Sequence, residues 1–247
     1  MGVSRQNWGQ SPVGTFFGSR SSKLPVAESK HLHSIGQTSR SGPLDAREAL
    51  LVAALRVFAT AGSRGATTRR IAQEAGLNEV TLFRHFGSKD SLIQEALAWK
   101  AEQFLATRPL PDAPCDPAAE LIAFCEQYHE GLTRSRALIR TCLAEFEEHP
   151  DTTRLACRTP ARIAEQLEAY LHRLRTAGLA GRDWSARAAT AMLMGTLFSD
   201  AMSRDCMPER HSLGVPEAIR EYVAVFLRGI GVAAAGVLSA APPSPQE

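Results

Sequence analysis

Two short amphipathic segments joined through a glycine constrain the fold of this chain most strongly. The first begins at Thr67 and Thr68, either of which can cap a helix. The apolar positions of this segment, which recur at helical spacing, are Ile71, Ala72 and Ala75. Gly76 supplies the backbone freedom of a tight turn. Asn78 is placed to cap a second short helix, which we expect to run to about Phe86.

The second helix has two different sides. At about 100° per residue, Leu82 and Phe86 share one side and can pack on the first helix of the pair. The opposite side carries Val80, Thr81, Arg84 and His85. Two short helices locked by a small core across a glycine turn form a helix-turn-helix, whose second helix fits the major groove of DNA. A purely structural hairpin would explain the two apolar residues but not the outward basic ones.

The outward residue types suit contact with a duplex. Arg84 offers a fork of donors to guanine, Thr81 suits a thymine methyl group or a phosphate, and Val80 suits a methyl group. Side chains of the kind that bind phosphate surround them: Thr67, Thr68 and Arg69 at one helix start, Lys89 at the next helix start, and His85.

The order of these elements resembles a known family. The chain reads Thr67-Thr68, Ile71-Ala72, Ala75-Gly76, Leu82-Phe83-Arg84-His85-Phe86 and Ser88-Lys89-Asp90. This is similar to the N-terminal domain of the TetR family of transcriptional regulators, with its Thr-rich start, Ile-Ala, Ala-Gly, Leu-Tyr-x-His-Phe and Ser-Lys-Glu. The resemblance implies phosphate contacts from Thr67, Thr68, Arg69, Phe83, His85 and Lys89. It implies base or near-base contacts from Val80, Thr81 and Arg84.

Two positions depart from the family pattern. Phe83 replaces the usual tyrosine, so the phenolic hydrogen bond to a phosphate is lost and only packing remains. Val80 replaces a frequent glycine or small residue, which crowds the groove. The departure at Val80 makes the operator sequence harder to predict.

The fold class that we predict is all-α. A three-helix DNA-binding domain over residues 44–105 is joined to a larger helical domain over residues 106–235. No stretch alternates as a strand would, and alanine and leucine dominate. After the fourth helix, which opens at Ser88, further helices are expected at about 118–132, 136–148, 152–178, 185–204 and 216–234, with Pro160 kinking or restarting the third of these.

The larger domain contains no motif that names a ligand. The resemblance implies a small-molecule site there and dimerisation through the last two long helices. The candidate pocket residues, apolar or aromatic with a few polar groups, are Phe124, Tyr128, Cys142, Phe146, Gln166, Tyr170, Met194 and Phe198. Ile219, Val223, Phe226, Leu227 and Ile230 form a stripe suited to a dimeric bundle, or to packing within one subunit.

Residues 1–43 are predicted to be a disordered basic arm, with five basic residues against one acidic residue. Such an arm can follow phosphates or enter a minor groove, or have no specific role. Residues 236–247 are predicted to be a flexible tail. The whole chain carries a net charge of only +2, so any basic surface is local.

Several classes of function have no support in the sequence. The five cysteines are dispersed and never spaced as CxxC, so neither disulfides nor a zinc site are expected. His129 and His149 lie near several glutamates, but Glu145, Glu147 and Glu148 are interpreted as a solvated helix end rather than as metal ligands. Nothing resembles a nucleophile elbow or phosphate loop, so neither a cofactor nor enzymatic activity is expected.

The partners that we expect are double-stranded operator DNA, a small-molecule effector and a second copy of the chain. The expected location is the bacterial cytoplasm, on the nucleoid when bound to DNA, with no membrane segment. The alternative is a helical enzyme or interaction module that carries a helix-turn-helix. The sequence names neither the operator nor the effector, and it leaves open whether the effector releases DNA.

Overall fold

A computed structural model describes residues 45–105 and 109–232 of the chain. Regular structure in these two ranges is helical throughout, which confirms the all-α prediction. A single 3₁₀ turn, Pro208–Arg210, precedes the last helix. The α-helices are α1 Ala46–Gly65, α2 Thr68–Glu74, α3 Glu79–Phe86, α4 Lys89–Leu105, α5 Pro117–Arg134, α6 Arg136–Ala144, α7 Pro150–Thr176, α8 Ala186–Ser203 and α9 Val215–Gly229.

Short polar side chains begin most of these helices. The carboxylate of Asp45 accepts a hydrogen bond from the Glu48 backbone N–H at 2.7 Å, and that of Asp116 accepts one from the Ala119 N–H at 3.1 Å. The Ser185 hydroxyl accepts one from the Ala188 N–H at 3.2 Å. Each bond satisfies a donor that the first helical turn leaves unpaired, so these polar residues fix where the helices start.

The apolar side chains form two separate cores. The first lies among α1 to α4, with fully buried Leu50, Ile71, Leu82 and Leu92. The second lies among α5, α7, α8 and α9. Helix α6 contributes Leu138 and Cys142 to the first core although it follows α5 in the chain. The smaller domain is therefore built on a helix of the larger one.

Helix α1 is interrupted near its end. Gly62 has φ 64° and ψ −175°, so the backbone leaves helical geometry for one residue before a last turn to Gly65. A positive φ is readily adopted by glycine and strained for other residues. The break exposes the N–H and C=O groups of Ser63 to neighbouring helices.

Three details differ from the sequence-based predictions. Helix α7 is continuous through Pro160, so of the two predicted outcomes, a kink or a restart, the restart is wrong. Helix α6 ends at Ala144, not near residue 148, and a turn follows it. The interpretation of the α9 stripe as a dimer face is wrong for Ile219, Val223, Leu227 and Ile230, which are buried in the chain's own core.

Some predictions fall outside the described ranges. The basic arm of residues 1–43 and the tail of residues 236–247 are among them. Within the described ranges, no helix is both long and apolar enough to cross a membrane. In the same ranges, no three histidine, cysteine, aspartate or glutamate side chains are grouped to hold a metal ion.

Candidate nucleic-acid interface

Hydrogen bonds near their N-termini connect α2 and α3. The Thr67 hydroxyl caps α2 by accepting from the Arg70 N–H at 3.2 Å. The Thr68 hydroxyl donates to Glu79 Oε2 at 2.8 Å, which joins the start of α2 to the start of α3. Asn78 caps α3, and its Oδ1 accepts from both the N–H and the hydroxyl of Thr81 at 2.9 Å. These bonds hold the two short helices in one relative orientation.

The underside of α3 is anchored in the first core. Leu82 and Phe86 are buried there with Ile71, as the helical spacing predicts. The guanidinium of Arg47 lies over the Phe86 ring, 5.4 Å from its centroid. With its inner face fixed in this way, α3 must present its other face to solvent.

The outer face of α3 is exposed and mixes apolar with basic groups. Val80 is 74% exposed and Phe83 is 49% exposed, although both are large apolar side chains. Arg84 and His85 are exposed beside them, and Thr81 is half-buried. Large apolar side chains that remain in water on a rigid helix indicate a contact surface.

Arg69 extends this surface from the start of α2. It is exposed, and among the described residues no carboxylate lies within ion-pair distance of Arg69 or Arg84. Two guanidinium groups are thus available to a negatively charged partner. Guanidinium groups bind phosphate and the edge of guanine through paired donors.

Lys89 differs from the other predicted phosphate ligands. Its side chain is half-buried, and its Nζ donates to the backbone oxygen of Ser63 at 2.9 Å. In this structure Lys89 therefore joins the start of α4 to the break in α1. The sequence placed it correctly at a helix start but gave no sign of this bond.

Glu145 makes a contact that sequence reasoning missed. Its Oε1 accepts from the Ser63 N–H at 2.8 Å, so its interpretation as part of a solvated helix end is wrong. A Cβ atom on Gly62 would lie 2.3 Å from the same oxygen. The glycine is therefore needed both for the positive φ and for the approach of this carboxylate. The glycine itself was the only sequence signal.

A cavity of about 820 Å³ is lined mainly by α5, α6, α7 and α8 of the larger domain, and α4 of the smaller domain completes its wall. Four of the predicted pocket residues line it: Tyr128, Cys142, Met194 and Phe198. The structure places the other four elsewhere. Phe124 is buried and stacks on Tyr128, with ring centroids 6.4 Å apart, and Tyr170 is buried with its hydroxyl donating to Glu120 at 2.5 Å. Phe146 and Gln166 are exposed outside the wall.

The cavity wall also contains residues that sequence reasoning did not select. Thr159 and Thr190 are buried, and among the described residues neither hydroxyl has a hydrogen-bond partner. Lys100 is half-buried in the same wall. Burial lowers the pKa of Lys100, and the positive charge of Arg134 lowers it further.

A buried polar cluster joins α5, α8 and α9. Asp200 accepts from Arg204 at 2.6 and 2.8 Å and from the Tyr222 hydroxyl at 2.8 Å, and His129 Nε2 lies 2.7 Å away. His211 Nδ1 is 3.4 Å from the same carboxylate. Burial alone would raise the pKa of Asp200, but the hydrogen bonds from Arg204, Tyr222 and His129 lower it to about 2. The sequence gave no indication of this cluster.

In the small helical domain, one face of α3 is buried in the core and the other face is exposed. This arrangement defines a helix-turn-helix protein. Comparison with known proteins agrees. Residues 50–96 match the family model described as bacterial regulatory proteins of the tetR family. Residues 119–229 match the C-terminal domain of AefR-like transcriptional repressors.

Two curated relatives match part of the chain. The HTH-type transcriptional regulator YvkB of Bacillus subtilis is 30% identical over 113 residues, which cover 45% of this chain and 51% of that protein. The HTH-type transcriptional repressor KstR2 of Rhodococcus jostii is 32% identical over 100 residues, covering 40% and 49%. The chain thus spans about half the length of the curated relatives that it matches.

A solved structure extends the likeness to the whole fold. A TetR-family regulator from Mesorhizobium loti superposes with a TM-score of 0.61 at 19% identity, covering 83% of this chain and all of that one. The two family models cover both helical domains. The chain is therefore similar to the TetR family of transcriptional regulators in both of its helical domains.

Proposed function

We propose that this protein is a homodimeric transcription repressor that reads operator DNA with α3 and is released from it by a small molecule. The observation that carries the proposal is the outer face of α3, where Val80 is 74% exposed and Arg84 has no acidic partner among the described residues. One of the similar proteins, KstR2, is itself named a repressor, which favours repression over activation.

The exposed side chains divide into two roles. Arg84 and Val80 lie on the face that would enter the major groove, where they meet base edges and methyl groups. The hydroxyl of Thr81 already donates to Asn78, so its methyl group is the part left for a thymine. Thr67, Thr68, Arg69, Phe83, His85 and Lys89 are assigned to the flanking sugar-phosphate backbone, which sets position rather than sequence.

We infer a homodimer because one helix-turn-helix domain (α1 to α4, called the reading head below) offers a small contact area to DNA. Two heads on half-sites about 34–36 Å apart double the contacts and match the symmetry of an operator. Helix α8 leaves Met192 71% exposed, and its small residues Ala188, Ala191 and Gly195 are exposed too. Val225 of α9 is also exposed. We assign Ala188, Met192 and Val225 to the dimer face, since Ala191 and Gly195 also line the cavity.

Binding of an effector in the cavity is coupled to release of DNA through the helices that line the cavity. Leu138 and Cys142 of α6 contribute to the cavity wall and also to the first core. The Thr141 hydroxyl donates to the Ala59 backbone oxygen of α1 at 3.0 Å, and Glu145 holds Ser63. An effector that prefers a different position of α6 therefore also favours a different position of the reading head. The free energy of this shift is limited by the difference in the effector's affinity for the two positions.

The decisive experiment measures binding to the gene's own promoter. The full chain is expected to retard a promoter fragment, and selection from a random DNA pool is expected to return an inverted repeat. Affinity is expected to fall steeply as salt rises, because phosphate contacts release counterions. Folded protein that retards no fragment at low salt contradicts the proposal.

On this proposal the protein acts in the cytoplasm, on the nucleoid, and changes no covalent bond in its effector. An effector incubated with the purified protein is expected to be recovered unaltered. Turnover that a cavity substitution abolishes would instead establish an enzyme that carries a helix-turn-helix.

A further inference from the structure

We propose that the cavity of the larger domain binds an amphipathic monoanion, with an apolar body against the wall, its negative charge at Lys100 and an oxygen atom within reach of Thr159 and Thr190. This inference rests on the proposed function, since it names the chemical class of the effector. The observations that carry it are an unpaired cation and two unpaired hydroxyls in one largely apolar wall.

The size and lining of the cavity set the body of the ligand. At about 30 Å³ for each water-sized group, about 820 Å³ holds on the order of 27 such groups. The wall includes Leu97, Leu132, Ile163 and Met194, all buried apolar side chains. Sites of this kind take molecules that are mostly apolar, with orientation fixed by a few polar contacts.

Lys100 sets the charge. It is half-buried, and among the described residues no carboxylate pairs with its Nζ. Burial lowers the pKa of Lys100, and the positive charge of Arg134 lowers it further. A cation in that position is destabilised, so a bound anion gains a charge-assisted hydrogen bond and relieves the repulsion.

Other charged groups of the wall do not neutralise Lys100. Glu165 and Arg187 are exposed to water, which screens them. Glu168 lies 4.0 Å from His172 on its own helix. Among the described residues of the wall, Lys100 and Glu168 are the half-buried charged groups, so Lys100 is the cation that a ligand inside the cavity meets away from bulk water.

The two threonines add a polar contact point. Thr159 is 7% exposed and Thr190 is 3% exposed, and within the described part of the chain neither hydroxyl oxygen has a hydrogen-bond partner. Buried polar groups without partners destabilise a fold, which makes them unusual in a structure unless a ligand satisfies them. Threonine has two populated χ1 positions in a helix, so a rotation can turn the hydroxyl toward a ligand.

The first test compares probes that differ only in the head group. Titration calorimetry on the full chain uses dodecanoate, dodecan-1-ol and dodecylammonium below their micelle concentrations, with 8-anilinonaphthalene-1-sulfonate as an anion of a different shape. At least one anion is expected to bind, and at least tenfold more tightly than dodecylammonium. Equal binding of the ammonium, or no binding of either anion, overturns the proposal.

The second test assigns the charge to Lys100. Lys100→Met keeps an unbranched apolar side chain as far as Cε and removes the ammonium group, so it is expected to weaken anion binding about tenfold while leaving binding of the alcohol within about twofold. Arg162→Met, which removes an exposed cation of α7 outside the wall, is the matched control and is expected to change neither. Anion binding that survives Lys100→Met unchanged overturns the assignment.

The third test asks whether the hydroxyls of Thr159 and Thr190 bind the ligand or stabilise the ligand-free fold. Thr159→Val and Thr190→Val are expected to keep or raise the thermal midpoint of the ligand-free protein, since each removes an unpaired polar group, and to weaken anion binding severalfold. Thr196→Val, at an exposed position of α8, is the control for binding. A lower midpoint together with unchanged binding overturns the role of the threonines.

Retardation of promoter DNA is measured on the same ligand-free proteins. If DNA is retarded but no anion binds, the inference about the ligand fails and the proposed function stands. If an anion binds but no DNA is retarded, the proposed function fails while the ligand class stands.

Discussion

Arg84 is the residue on which sequence discrimination is expected to depend. It is exposed on the face of α3 opposite the buried Leu82, so truncation of its side chain leaves the core intact. Arg84→Ala is expected to reduce the preference for the selected operator over random DNA by about 1–3 kcal/mol, the usual contribution of a bidentate contact with guanine. Competition retardation against both DNAs measures this difference, and circular dichroism verifies the fold.

Arg69 provides the matched comparison at the same scale. It is an exposed arginine at the start of α2. Arg69→Ala is expected to weaken all DNA sequences alike and to reduce the slope of log affinity against log salt by about one. If Arg84→Ala still discriminates while Arg69→Ala does not, the two roles have been assigned to the wrong residues.

At the scale of helices, the junction between α6 and α1 depends on Glu145. Glu145→Ala removes the acceptor of the Ser63 N–H, which costs about 1 kcal/mol of unfolding free energy. The Ser63 amide is expected to exchange its hydrogen markedly faster, as hydrogen-exchange mass spectrometry of the α1 C-terminal peptide will show. Glu147→Ala, an exposed neighbour, is the control and is expected to leave that exchange unchanged. Equal protection in both variants would mean that the contact does not hold the junction.

Local signals predicted the helix-turn-helix, and the reason is physical. Capping at Thr67 and Asn78 and the spacing of Leu82 and Phe86 act within one or two helical turns, so the sequence displays them. Glu145 meets Ser63 across a separation of 82 residues, and His129 meets Asp200 across 71. No periodicity encodes such pairs. They depend on how the helices pack, as do Lys100, Thr159 and Thr190 in the cavity wall.

At the scale of the whole molecule, the Asp200 cluster is expected to govern stability in acid. The folded pKa of Asp200 is about 2, below its ordinary value of 3.8. Its ionised form therefore stabilises the fold above about pH 4, and this contribution is lost as pH falls toward 2. Between pH 5 and pH 3 the loss amounts to about 1 kcal/mol.

Urea unfolding at several pH values tests this expectation. Asp200→Asn is expected to be less stable at pH 7, because it leaves the largely buried Arg204 without its carboxylate. It is also expected to lose less stability than the unmodified protein between pH 5 and pH 3. Asp183→Asn, at an exposed carboxylate, is expected to follow the unmodified protein. Parallel acid curves for the Asp200 variant and the unmodified protein would show that acid acts elsewhere.

Assembly is the property of the whole molecule that operator binding requires. Met192 is 71% exposed on α8, where a second copy would cover it. Met192→Arg places a charge in that contact, so sedimentation is expected to show chains of 26.8 kDa where the unmodified protein sediments at twice that mass. Operator affinity is expected to fall with the loss of the second reading head. Phe83→Arg makes the same kind of change on exposed α3 and is expected to keep the dimer mass. A Met192→Arg protein that remains dimeric would move the subunit contact away from this face of α8.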